Sequence, residues 1–235
     1  MKESGIHEAL ASLYLRLNGY FTSGLIVHAP EDSGSTRTEV DVLAVRFPQN
    51  TEPEREVEPS PYLEVSTDHI DFIISEVKGG KKRLQFNAPL RQPQSIRAVL
   101  RWMGAFTPAE IDRLQADLLT LMQPREQAEP SHFIEVPGPH GTRIRAILFG
   151  MDRGMPKRNQ PKYIPGTELM GFIWNCMRPE QPRPLSQTTY DFQLWGSLYE
   201  PVVRYFKSDG RHVPGSVRDL VQFVIRTTDQ KRATD

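Results

Sequence analysis

The sequence predicts an α/β protein, a mixed sheet flanked by helices, with a helical C-terminal extension. Three observations predict it. Apolar residues recur at helical spacing in the first twenty positions. Three runs rich in β-branched and aromatic residues follow before residue 79, broken by Pro-, Gly- and acid-rich turns. Helical and extended patterns then mix as far as residue 150, and beyond 165 only helical ones remain. At 235 residues and 38% hydrophobic content the chain suffices for one domain with an appendage. The expected division is a core over residues 1–150 and a mostly helical region over 151–235 that packs on it.

In chain order, "SGIHEALASLYLRLNGYF" reads as a helix with Ser4 as cap and Asn18-Gly19 as stop. Ile6, Leu10, Leu13 and Leu17 form one stripe, and Glu8, Ala11, Ser12 and Leu15 a second. A helix with two such faces packs between layers, with Glu8 at the start of a partly buried face. "YFTSGLIVHAP" reads as a strand and "EDSGSTR" as a turn. "TEVDVLAVRFP" is a central strand stopped by Pro48. Alternation assigns Glu39, Asp41, Leu43, Val45 and Phe47 to one face, and Val40, Val42, Ala44 and Arg46 to the other.

Residues 48–69, rich in Pro and Glu, read as an acidic surface insertion. The next strand, "DFIISEVKGG", sets Phe72, Ile74, Glu76 and Lys78 on one side. A carboxylate and an ammonium at the end of an apolar face are costly unless paired. "SIRAVLRWMGAF" and "TPAEIDRLQADLLTLM" are helices, the second with Thr107 as cap, Pro108 in its first turn and Glu110 as the box acid. "HFIEVPGPHGTRIRAILFG" reads as a hairpin about a Pro-Gly turn, and helical signals occupy 167–177, 190–207 and 214–228.

Composition narrows the chemistry. No apolar run is long enough to span a membrane, and "MKESGIHEAL" lacks the apolar core of a signal peptide, which predicts a cytoplasmic protein. Cys176 is the sole cysteine, in an apolar helical stretch that makes it packing, not nucleophile. The six histidines show no metal-binding spacing, so oxygen ligands are the expectation for any metal. "GGKK" lacks the earlier glycine and following Ser or Thr of a P-loop, and no G-x-S-x-G is present. Trp174, Trp195, Tyr199, Tyr205 and Phe206 fall at helical spacings and read mostly as core. Net charge is zero, but residues 77–101 hold seven bases and no acid. Lys81, Lys82 and Arg83 there, with Arg143 and Arg145 on one face of a later strand, are the candidate nucleic-acid contacts, although for the last two the wet side of the sheet is the slightly favoured reading.

The acids on core-facing rows are Glu8 on the first helix, Asp41 on the second strand and Glu76 on the third, with Lys78 two residues on. "GIHEALASLYL", "TEVDVLAV" and "IISEVKGG", in that order, resemble the PD-(D/E)XK nuclease superfamily over residues 5–103. The literal Pro before the Asp is replaced by Val40. The resemblance implies a restriction-endonuclease-like α-β-β-β-α-β core and a divalent-metal-dependent nuclease acting on phosphodiester bonds, on DNA in preference to RNA. It also implies catalytic roles for Glu8, Asp41, Glu76 and Lys78, and Mg²⁺ or Mn²⁺ held by Asp41, Glu76, the Val77 carbonyl and Glu8. Lys78 would orient or deprotonate a water or stabilise developing charge, and Glu39 is a spare acid. The implied partners are nucleic acid, a second copy or a partner subunit, and no membrane. Phage defence, restriction and repair are roles that members of the superfamily fill. The competing expectation is a catalytically inactive nuclease-like fold kept as a binding or assembly subunit.

Overall fold

The structure, a computed structural model, describes residues 1–27, 38–51, 56–80, 84–123, 133–156, 162–178, 191–208, 210 and 212–234, with side chains to 230. Its elements run α1 (Glu3–Leu17), β1 (Phe21–Val27), β2 (Thr38–Arg46), β3 (Ile70–Lys78), α2 (Pro93–Met103), α3 (Pro108–Met122), β4 (Ile134–Pro137), β5 (Thr142–Gly150), β6 (Ile164–Pro165), α4 (Gly166–Met177), α5 (Gly196–Lys207) and α6 (Val217–Thr234). The strands form one six-stranded mixed sheet in the order β1-β2-β3-β5-β4, with β6 paired to β5. β1, β2 and β3 are an antiparallel meander, and β5 lies parallel to β3. The α2–α3 pair supplies the long connection that a parallel neighbour requires. The two-residue β6 carried no sequence signal.

Each sheet face buries its own core. On one side Phe72 and Ile74 of β3 pack with Ile96 and Leu100 of α2 and Leu114 and Leu118 of α3. On the other, Ile73 packs with Ile147 and Phe149 of β5 and with α1. From Ile6 to Leu15, every residue of α1 except Glu8 is buried. The reason is its position: α1 touches the sheet on one side and α4, α5 and α6 on the other. That is the sandwiched helix its two stripes predict, and truncating Leu10 at its centre to Ala costs about 2–5 kcal/mol. The C-terminal helices share this core with α1.

Local signals explain most helix ends. Thr107 and Glu110 close the capping box of α3 as expected. Asn18 and Gly19 end α1, where Gly19 takes a φ of +84° that suits glycine. Ser4 is not the cap of α1: the helix begins one residue earlier, behind Lys2, and no side chain caps it. The 48–69 stretch is more than a surface excursion. It holds a 3₁₀ turn at Pro61–Leu63 whose Leu63 is buried, and its carbonyls receive buried arginines described below.

The alternation read for β2 fails at one point. Val42 and Ala44 face the α1 core and Leu43 the α2–α3 core, as expected, but Val40 joins Leu43 instead of Val42. The register with β1 explains it: Ser23 pairs Leu43 and Leu25 pairs Val40, so β2 carries one extra residue opposite Gly24. Such a bulge bends the strand and re-aims its side chains. It falls at Asp41.

Candidate functional site

Strand pairing brings the sequence-selected acids together. In the β2–β3 ladder Val42 lies across from Ser75, so Asp41 is one step beyond, level with Glu76. Asp41 Oδ2 accepts the backbone amide of Val77 at 2.7 Å. Glu76 is fully buried and meets Lys78 Nζ at 2.5 Å. Both Glu76 oxygens accept the amide of Asn87, at 2.9 and 3.0 Å, and Lys78 Nζ donates to Asn87 Oδ1 at 2.7 Å. The partner that the apolar strand's Glu76 demanded is therefore Lys78, clasped by Asn87. Asn87 was missed in the sequence, because nothing in "FNAPL" marks which loop residue will turn its amide back to a strand eleven positions earlier.

Glu8 completes the group electrostatically. Its pKa is raised, first by burial and then by the charges of Asp41 and Glu39. Asp41 is raised by burial too, against the lowering effects of the Val77 amide and the Lys78 charge. Burial also raises Glu76, outweighing Lys78 and the Asn87 amide, and Asp41 adds to the rise. Glu8, Asp41, Glu39 and Glu76 thus stand in overlapping fields at one end of the sheet.

Two further residues border this end. The ring of buried His7 lies against Gly79, so close that a Cβ there would sit 2.8 Å from its Cε1 and Nδ1. Asp152, just past β5, accepts the Gly80 amide at 2.5 Å. Burial lowers the pKa of His7, with Glu3 and Asp152 opposing. The C-terminal ends of the parallel β3 and β5 therefore carry Glu76, Lys78, His7 and Asp152 together, at the strand ends where α/β sheets expose a crevice.

The chemistry of the donors fits a hard divalent cation: carboxylate oxygens on neighbouring strands, each raised by burial and by acidic neighbours, which a cation would relieve. Asp41, Glu76 and the Val77 carbonyl are the residues that would hold it. Among the described residues, no group of three or more His, Cys, Asp or Glu is close enough together to ligate a metal as it stands.

The arginines have a different destination. Arg145 is fully buried and not on the wet side of the sheet. Its Nε and NH2 donate to the two oxygens of buried Asp71 at 3.1 and 2.5 Å, and NH1 donates to the Leu63 carbonyl at 2.6 Å. Tyr20 donates to Asp71 Oδ2 at 2.6 Å, and Arg143 reaches the same oxygen at 2.7 Å and the Glu64 carbonyl at 2.9 Å. Both guanidinium groups are thus committed to Asp71 and the 61–64 turn, at the opposite end of β3 from Glu76. A buried Arg145 is out of reach of a phosphate. The sequence missed this because Asp71 is seventy-four residues from Arg145 and pairs with it only through the β3–β5 register. Lys81, Lys82 and Arg83 lie outside the described residues.

Of the aromatic residues read as core, Tyr205 and Phe206 are fully buried, and Trp174, Trp195 and Tyr199 are partly buried and pack against the same core. Among the described residues no helix is long and apolar enough to cross a membrane. No family model matches the chain, and no curated protein or solved structure is significantly similar to it.

Proposed function

We propose that the protein is a divalent-metal-dependent nuclease with a restriction-endonuclease-like core, hydrolysing phosphodiester bonds in DNA. One observation carries the reading: an α-β-β-β-α-α-β-β succession in which Asp41, Glu76 and Lys78 meet at one end of the sheet and Glu8 of α1 lies in the field of Asp41. The antiparallel β1-β2-β3 meander followed by a parallel strand supports the same core.

In this reading Asp41 and Glu76, with the Val77 carbonyl, hold the ion and Glu8 orders its surroundings. A bound Mg²⁺ or Mn²⁺ supplies Lewis-acid polarisation of a phosphoryl oxygen and a more acidic water. Among the described residues, Lys78 is the cation fixed beside these acids. Its ammonium, held by Glu76 and Asn87, stabilises the negative charge that develops on the phosphate as water attacks. Gly80, with no side chain and open space around its Cα, leaves room there for a nucleic-acid backbone.

A second reading, an inactive nuclease-like subunit that binds or assembles, is favoured by the closed state of Glu76, whose oxygens are taken up by Asn87 and Lys78. One experiment separates the two. Plasmid, linear and single-stranded DNA and RNA are incubated with Mg²⁺ or Mn²⁺, beside Asp41→Ala and Lys78→Ala. Metal-stimulated cleavage that both substitutions abolish supports the nuclease. No cleavage of any substrate, or cleavage indifferent to both substitutions, overturns it.

A further inference from the structure

The two edges of the sheet differ. β4, at one edge, is four residues long, carries Glu135, ends at Pro137 and packs against α3. Shortness, charge, proline and a covering helix are devices that keep an edge from pairing. β1, at the other edge, has none of the first three: its seven residues hold no charge and no proline. Phe21, Ser23, Gly24 and Ile26 are exposed along it, Phe21 at 64% and Ile26 at 53%. The extra residue that breaks the β1–β2 register belongs to β2, so β1 itself runs without a bulge. On one face Phe21 meets the exposed ring of Phe47 edge to face, with centres 6.2 Å apart. Among the described residues no strand takes up the outer side of β1.

The uncharged strand suits a second copy of itself. A two-fold contact presents the same surface twice, so a charge on the strand would be doubled in it, and β1 brings none. The antiparallel register that pairs all seven residues turns about Gly24. It sets Phe21 opposite Val27, Thr22 opposite Ile26 and Ser23 opposite Leu25. An aromatic ring beside a β-branched residue is a favourable cross-strand pair. The charges near the two ends agree with this register. Exposed Arg16, in the last turn of α1 just before β1, stands by one end of the strand, and exposed Glu39, paired to Ile26, by the other. Antiparallel pairing turns the Arg16 end of each copy towards the Glu39 end of its mate.

We propose that β1 pairs with β1 of a second copy, antiparallel and centred on Gly24, joining the two sheets into one. Because the extra residue of β2 lies opposite Gly24, the two Asp41 residues then stand three strand spacings apart across the axis, about 14 Å. The test uses the full chain, with light scattering over a concentration series and crosslinking on β1. A Cβ added at Gly24 would meet only the Asp41 carbonyl, at an ordinary 3.8 Å, so Gly24→Cys is expected to fold. Directly opposed residues of antiparallel strands have Cα atoms about 4.5–5.5 Å apart, within the span of a disulfide. Gly24→Cys therefore links two copies under mild oxidation, and Ser23→Cys, offset from its own mate by two residues, links few. The wild type, whose sole cysteine is Cys176, is the control. Lysine in place of exposed Ile26 or Phe21 charges the edge and weakens the dimer on the order of tenfold.

Three outcomes overturn the proposal: a monomer at every concentration, a dimer that Ile26→Lys and Phe21→Lys both leave unchanged, or oxidised Gly24→Cys that links no more than Ser23→Cys. Thermal melts separate loss of association in the lysine variants from loss of fold. The cysteine arm gains a product and stands apart from them. Self-association needs no cleavage, so the pairing and the nuclease reading fail separately. A β1-dependent dimer without metal-stimulated cleavage leaves the pairing and removes the nuclease. Cleavage by a monomer does the reverse.

Discussion

The amide of Asn87 donates to both carboxylate oxygens of Glu76, and the Asn87 side chain accepts from Lys78, so one loop residue fixes both members of the ion pair. Asn87→Ala keeps the amide and deletes only the Lys78 acceptor. Its expected cost in urea unfolding is about 0.5–1.5 kcal/mol, the net worth of one hydrogen bond. If Lys78 acts in catalysis, the same variant lowers kcat with KM little changed, because the ammonium loses its aim and not its charge. Asn87→Pro removes the amide itself and strips a donor from a buried carboxylate, costing about 1–3 kcal/mol. Equal stabilities for the two variants would dismiss the amide as a support.

Glu8, Asp41 and Glu76 all ionise at higher pH folded than unfolded, chiefly through burial. The sign follows from linkage. A carboxyl with a raised folded pKa contributes stability that is whole below its unfolded value, about 4, and lost as pH rises through the folded value. These three groups therefore make the metal-free protein more stable in mild acid than at neutrality. Asp41→Asn removes one charge and leaves an oxygen to accept from Val77. It is expected to stabilise the metal-free protein at about pH 7 and to flatten the slope above about pH 4. Urea midpoints of both proteins across that interval check it.

Adding Mn²⁺ should reverse that order. An ion that binds only the folded chain stabilises by about 2.7 kcal/mol at a hundred times its Kd. Wild type is expected to gain in melting temperature, and Asp41→Asn or Glu76→Gln to gain little. A shift of equal size in all three would assign the ion to another place on the surface.

The order of the elements and the shared side of Glu76 and Lys78 were legible because both rest on local periodicity: α1 has two apolar stripes, and β3 alternates without interruption. What the sequence hid was long-range or cancelled the alternation. The extra residue of β2 opposite Gly24 shifts Val40 to the face of Leu43, and no residue type announces it. Arg143 and Arg145 alternate with apolar residues, as a wet face would, yet Asp71 on the neighbouring strand draws them inward. That Trp195 and Tyr199 pack on the core while staying only partly covered could not be read either, since helical spacing does not say how much of a face a neighbouring helix will cover.

The Asp71 cluster holds the end of the sheet opposite Glu76 and should behave as structure, not chemistry. Asp71→Ala leaves Arg145 buried at 0% exposure without its counter-ion. Removing one partner of a buried pair costs about 3–5 kcal/mol. The loss should be visible in urea, with no change in response to Mn²⁺. Tyr20→Phe removes one donor to the same carboxylate and should cost less, about 1 kcal/mol. A larger loss for Tyr20→Phe than for Asp71→Ala would contradict this account of the cluster.

Gly79 and Gly80 are neighbours with opposite constraints, and this separates steric from conformational demands at the site. Gly79 has an ordinary φ, but a Cβ there would meet the His7 ring at 2.8 Å. Gly80 has open space around it but a φ of +65°. Gly79→Ala must push the buried ring aside, an overpacking cost of about 1–3 kcal/mol. Gly80→Ala pays backbone strain alone, on the order of 1 kcal/mol. The His7→Ala background distinguishes them: deleting the ring should recover most of the loss in Gly79→Ala and none of that in Gly80→Ala. In a double-mutant cycle the 7–79 pair then shows a coupling of about 1–2 kcal/mol and the 7–80 pair close to none. Equal couplings would mean that His7 does not pack on Gly79, and the border drawn for this side of the site would be wrong.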